Sequence, residues 1–145
     1  MYQEKIAFHS EGLSYVVEHP VEIKQWLHQV ILNEGSTLDD LNYIFCSDEY
    51  LHAMNVEHLN HDTYTDVITF QYMDDVVAGD IFISVERTNE NAATYGVSAD
   101  HELHRVMVHG LLHLLGYKDK NPEDKTLMTQ KEDEYLNLLS QSRLA

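Results

Sequence analysis

The stretch Leu103-His104-Arg105-Val106-Met107-Val108-His109-Gly110-Leu111-Leu112-His113-Leu114-Leu115-Gly116 is apolar on nearly every side when wound as a helix. Leu103, Val106, Met107, Leu111 and Leu114 recur at helical spacing, and Val108, Leu112 and Leu115 fill the remaining faces. A surface helix carries one apolar stripe, so a helix of this kind belongs in the middle of a domain, covered by other elements. Ser98 or Asp100 caps its start and Gly116 ends it. Its strongly apolar part, Val106 to Leu115, is far shorter than the roughly 20 residues of a membrane span and is broken by two histidines and a glycine, so no membrane role is expected.

Outward from this helix, Asn121-Pro122-Glu123-Asp124 is a restart, with a cap, a proline at the first position and acids at the positive end of the helix dipole. The last helix then carries Leu127, Met128, Tyr135, Leu136 and Leu139. Upstream, a short polar helix ends near Gly96, preceded by two strand-like segments, Val67-Ile68-Thr69-Phe70 and Ile81-Phe82-Ile83-Ser84-Val85. A turn region around Asp74-Asp75 and Gly79 separates those segments, which predicts antiparallel pairing. Leu41-Asn42-Tyr43-Ile44-Phe45-Cys46 reads as a strand, and Ser47 starts a helix running to about Leu59. Before it, His19-Pro20 opens a helix whose Ile23, Trp26, Leu27, Val30 and Ile31 form a core stripe until Asn33-Glu34-Gly35 stops it. A short extended segment runs from Lys5 to Phe8. The order predicts an α+β fold, a small central mixed sheet of about four strands packed with helices.

The chain has 145 residues, the length of one domain, so residues 1–145 are read as a single unit. Hydrophobic residues at 43% and charged residues at 23%, with 2 Pro and 6 Gly, exclude a disordered or fibrous chain. Nine Lys and Arg against 25 Asp and Glu give a net charge of −16, which disfavours nonspecific binding to polyanions. Cys46 is the only cysteine, so no internal disulfide forms, as suits a reducing compartment. Glu4, Lys5, His9 and Glu11 stand where a signal peptide needs an apolar run, and the cytoplasm is the expected location.

The chemistry sits on the buried helix. His109 and His113 are four residues apart, so about 40° separates them around the axis and both rings leave one face. Gly116 releases the chain, and the turn can fold the Asp119 carboxylate back toward the two rings. His109, His113 and Asp119 thus give three N/O ligands with one position left for water, the pattern of a catalytic Zn²⁺ site holding one ion, with activated water as the nucleophile. The competing reading is a pair of core histidines satisfied by hydrogen bonds, with Asp119 capping the turn. The residue after the first histidine is Gly110, where a His-Glu-x-x-His peptidase carries its general base. A glycine there suits close approach of another backbone segment or a substrate.

His109-Gly110-Leu111-Leu112-His113-Leu114-Leu115-Gly116-Tyr117 resembles the signature of the YbeY family of bacterial endoribonucleases and ribosomal RNA maturation factors. Two upstream blocks resemble the family in order and spacing: Leu59-Asn60-His61-Asp62-Thr63-Tyr64-Thr65-Asp66-Val67-Ile68-Thr69-Phe70 and Gly79-Asp80-Ile81-Phe82-Ile83-Ser84. The resemblance implies a small α+β fold with a Zn²⁺ in a cleft and hydrolysis directed at single-stranded RNA. It also implies maturation of the 3′ end of 16S rRNA precursor, ribosome quality control, and contact with the small ribosomal subunit or its associated proteins. In this family the third ligand is usually a histidine where the chain has Asp119, and an arginine usually stands where it has Leu59.

Arg105, four residues before His109 on the same helical face, is the nearby candidate for contacting a phosphate, against an ordinary salt bridge with Asp100, Glu102 or an acid elsewhere. His101 and His104 fall off the shared face by about 80° and 140° and are expected to face solvent. Glu102 lies two turns above His109 and is expected near solvent, with a role in orienting an imidazole or accepting a proton from water as the alternative. Thr65 and Asp66 suit turn chemistry, Tyr117 suits packing over the helix end, and Lys118, Lys120 and Lys125 place positive charge beside the site. The rival functions are a minimal zinc peptidase and a noncatalytic ribosome-assembly factor with a structural metal.

Overall fold

The computed structural model describes residues 2–59 and 64–144, the side chains of residues 143 and 144 excepted. Asn60, His61, Asp62 and Thr63, part of the first upstream block, lie outside the described residues. The elements are α1 (Tyr2–Lys5), β1 (Ile6–Glu11), α2 (Pro20–Asn33), β2 (Leu38–Cys46), α3 (Asp48–Leu59), β3 (Val67–Gln71), β4 (Val77–Ser84), α4 (Val85–Tyr95), α5 (Ala99–Leu114) and α6 (Pro122–Leu144). The fold is α+β, with a mixed four-stranded sheet in the order β1-β2-β4-β3. β1 and β4 flank β2 in parallel, and β3 pairs antiparallel with β4, Thr69 opposite Ile81. The paired antiparallel segments expected from the sequence are therefore present.

Alternation along the strands sorts the two faces. Leu41, Tyr43 and Phe45 of β2 and Ile81 and Ile83 of β4 join the main core with α2, α5 and α6, whereas Cys46 and Ile68 pack with Leu51 of α3 in a smaller cluster. Two hydrogen bonds tie the helical layer down: the Tyr43 hydroxyl donates to the Met107 carbonyl at 2.8 Å, and Trp26 Nε1 donates to the Tyr135 carbonyl at 2.7 Å. Burial pushes the Cys46 thiol up to about 12, so it is a neutral packing group. No described helix is long and apolar enough to cross a membrane.

Several boundaries move from the sequence reading. The first strand is Ile6–Glu11, with Lys5 ending a short helix, and β2 begins at Leu38 because Leu38 pairs with Val77. Gly79 stands inside β4 and not in the turn, and Val85 opens α4 with Ser84 as its cap. A Cβ on Gly79 would meet the Phe70 carbonyl oxygen at 2.4 Å and the methyls of Leu114 at 3.1 Å. A Cβ on Gly110 would meet Ile81 Cγ2 at 2.8 Å. What approaches Gly110 is thus a core side chain, not a substrate, and the two glycines let α5 lie directly on the sheet.

Candidate metal centre

α5 is capped at Ser98, whose side chain accepts from the His101 amide, and its sixteen residues carry His109 and His113 onto one face. After Leu114 the backbone turns through Gly116, whose φ of 105° favours glycine, and Asp119 comes back to the helix end. Three donor atoms converge there. His109 Nε2 and His113 Nε2 are 3.1 Å apart, and Asp119 Oδ2 is 3.4 Å from each.

The remaining ring nitrogens define which atoms carry hydrogen. His109 Nδ1 is 2.5 Å from Glu132 Oε2, and His113 Nδ1 is 3.0 Å from the Tyr117 carbonyl. A carboxylate and a carbonyl only accept, so both Nδ1 atoms donate, and in the neutral rings both Nε2 atoms are bare. Two imidazole lone pairs and a carboxylate oxygen then point at one spot, an arrangement that calls for a cation. A tetrahedral ion with bonds of 2.0 to 2.1 Å holds its donors about 3.4 Å apart, so these three residues fit one. His109, His113 and Asp119 are partly exposed, which leaves an open side.

The surrounding charges act on His109. Burial works against its imidazolium, but Glu132, then Asp119 and Asp66, outweigh burial and raise its pKa above the ordinary value. Burial also raises the proton affinity of Asp66 and Glu102, both of which feel His109. Glu102 is 5% exposed and His104 6% exposed, with His104 packed edge-on against Trp26, so neither faces solvent as expected. The cause is the all-round cover of α5, which buries its off-site faces too. His101 is exposed.

Arg105 does not pair with Asp100 or Glu102. Its guanidinium donates to Glu132 Oε1 at 2.8 Å and to Asp133 Oδ1 at 2.6 Å, both on α6. Thr65 donates to the Val67 carbonyl at 3.4 Å, and the Asp66 carbonyl accepts from the Ser84 amide at 2.9 Å, so both take part in strand-end hydrogen bonding. Leu59 is exposed, as are Lys118, Lys120 and Lys125; Lys118 lines a recess of about 380 Å³ with Gly116, Tyr117 and Glu34.

Sequence reasoning passed over Glu34 and Glu132. Glu34, at the end of α2, accepts from the Tyr117 hydroxyl at 2.6 Å, from the Tyr135 hydroxyl, and from Lys131 Nζ at 3.3 Å. This knot joins α2, α6 and the turn whose carbonyl holds His113. Burial alone would raise the Glu34 pKa, but the three donors outweigh it and hold the carboxyl below its usual 4.5. The folded value thus lies under the unfolded one: the stabilisation is complete above pH 4.5 and is lost as pH falls through the folded value. Denaturation across pH should therefore show Glu34→Gln less stable than wild type by about 2 kcal/mol at neutral pH, the gap closing in acid. A gap independent of pH would disprove the role of the charge.

Comparisons with known proteins show which family the chain resembles. The pattern of the family described as Endoribonuclease YbeY matches residues 4–140. A protein of Flavobacterium johnsoniae named Endoribonuclease YbeY is 54% identical over 128 residues, spanning 85% of this chain and 92% of its own. One of Cytophaga hutchinsonii with the same name is 46% identical, spanning 95% of this chain and 98% of its own. Among solved structures, a solution structure of a Thermotoga maritima protein matches with a TM-score of 0.67 and 27% identity, over 92% of this chain and 88% of that one.

Proposed function

This chain belongs to the YbeY endoribonuclease family, and we propose that it is a metal-dependent hydrolase of single-stranded RNA whose site is His109, His113 and Asp119 with one Zn²⁺. The observation that carries this reading is the convergence of two imidazole Nε2 atoms and a carboxylate oxygen within 3.4 Å of one another. A bound Zn²⁺ supplies Lewis acidity toward a phosphoryl oxygen and toward water. The protein's own groups do the rest. Glu132 and the Tyr117 carbonyl hold the Nδ1 protons away from the ligand face. Lys118 and Lys120, on either side of Asp119, offset the net charge of −16 where an RNA phosphate approaches. The half-buried carboxyl of Asp66 and the buried carboxyl of Glu102, whose proton affinity is raised, supply proton acceptance near His109. A phosphate contact by Arg105 would require it to leave both Glu132 and Asp133.

In this reading the whole chain works as one unit in the cytoplasm, trimming the 3′ end of 16S rRNA precursor and serving ribosome quality control beside the small subunit. Gly110 in place of a base, held against Ile81, speaks against a peptidase. The test is removal and return of the metal. Chelation should abolish cutting of a single-stranded RNA, stoichiometric Zn²⁺ should restore it, and a perfect duplex should resist both. Undiminished cutting by metal-free protein would overturn the metal site. Zinc-dependent melting without RNA cutting would favour the structural-metal assembly factor.

A further inference from the structure

We propose that Arg105 and Glu132 form a relay that fixes the His109 imidazole in the tautomer and orientation presenting Nε2 to the ion, so that Arg105 acts through Glu132 and not on substrate. The inference rests on the metal reading above.

Glu132 is 7% exposed and lies on the face of α6 that carries Met128, Tyr135 and Leu139 into the core. A carboxylate there is costly unless each oxygen is engaged. Both are: Oε2 accepts from His109 Nδ1 at 2.5 Å and Oε1 accepts from Arg105 at 2.8 Å. With both oxygens held, the carboxylate cannot rotate, and the ring it holds cannot flip. Arg105 and His109, one turn apart on α5, meet the same carboxylate, while Asp133 fixes the outer edge of the guanidinium at 2.6 Å. His113 needs no such device, because a backbone carbonyl holds its Nδ1. A carboxylate behind a metal-bound imidazole sets its tautomer and raises its basicity, and losing it typically weakens metal binding about 10- to 100-fold. Arg105 and Glu132 are therefore positioning residues.

The experiment compares Glu132→Leu, Glu132→Gln and Arg105→Leu with wild type, after thermal melting confirms that each is folded. Zn²⁺ dissociation constants come from competition with a chromophoric chelator. The His109 tautomer is read by imidazole nitrogen NMR on metal-free protein in alkaline buffer. Glu132→Leu should weaken Zn²⁺ binding about 10- to 100-fold and let the His109 proton populate both nitrogens, and Glu132→Gln, which keeps an acceptor, should restore the tautomer and most of the affinity. Arg105→Leu should weaken Zn²⁺ binding several-fold and leave KM for RNA unchanged in the zinc-loaded enzyme. Wild-type affinity and tautomer in Glu132→Leu would overturn the relay, and so would an Arg105 variant that raises KM for RNA with unchanged Zn²⁺ affinity. A wild type that binds no Zn²⁺ would remove the metal reading, while the tautomer would still decide whether Glu132 holds His109.

Discussion

Replacing His113 by alanine is expected to strip the zinc from the protein, abolish RNA cutting and leave the fold in place. Four-donor zinc sites are worth about 10 to 16 kcal/mol, so one donor stands for about 3 kcal/mol, a loss of affinity on the order of 100-fold. In a site with only three protein donors that loss falls on the remaining pair, His109 and Asp119, which lie 3.4 Å apart and cannot replace the missing nitrogen. The fold survives because the His113 side chain is 26% exposed and its Nδ1 bonds to the carbonyl of Tyr117, a partly exposed residue of the turn. Elemental analysis of purified wild type, His113→Ala and Asp119→Ala, beside cleavage of a labelled single-stranded RNA, checks this. About one equivalent of zinc in wild type and loss in both variants is the expected result. Zinc retained by Asp119→Ala would reduce Asp119 to a turn residue, and wild-type cutting by His113→Ala would end the catalytic proposal.

The second large effect separates two glycines that touch the same helix. Gly79→Ala drives a methyl to 2.4 Å from the Phe70 carbonyl oxygen, a backbone atom held by the β3–β4 ladder, and toward Leu114 on its other side. Neither strand can move without breaking pairing. A cost of about 3 kcal/mol is expected, a fall in Tm on the order of 10 °C. Gly110→Ala meets instead the Cγ2 methyl of Ile81 at 2.8 Å, a side-chain atom that can yield, and it gains about 1 kcal/mol in helix propensity. Its stability should change little. The displacement is felt next door at His109, so zinc affinity and RNA cutting should fall. Thermal melts and zinc titrations on both variants would show opposite patterns, Gly79→Ala unstable but zinc-competent when folded and Gly110→Ala stable but zinc-poor. Equal loss of stability in the two would refute the distinction.

Much of the site was legible because it is local. His109, His113, Gly116 and Asp119 are close in sequence; helix geometry brings the two rings together, and the short turn after Gly116 can return the carboxylate to them. What escaped depends on distant packing. Gly79 reads as a turn residue after Asp74-Asp75, but its place inside β4 follows from the carbonyl of a partner strand. His104 reads as solvent-facing from its angle to the two ligands, and Glu102 from its place near the helix start. An apolar-all-round helix has no solvent side, and that stronger signal was already present in its sequence. Glu132 had a signal as well: it sits among Met128, Tyr135 and Leu139 at helical spacing, an acid on a core stripe. Its partners on α5 are not legible, because which faces of two helices meet is set by the sheet beneath them.

The strand order has a consequence for how the chain reaches this structure. Pairing of β3 with β4 is a hairpin, formed between neighbours, whereas the parallel pairs bring Ile6 beside Leu41 and Tyr43 beside Ile81. Such distant contacts require loops to close before any burial compensates, and they slow folding. The Tyr43 hydroxyl bond to Met107 ties β2 to α5 and forms only once β2 is in place. The hairpin, built from local contacts, offers α5 a surface through Thr69, Gly79 and Ile81, and refolding is expected to be limited by the arrival of β2 and β1.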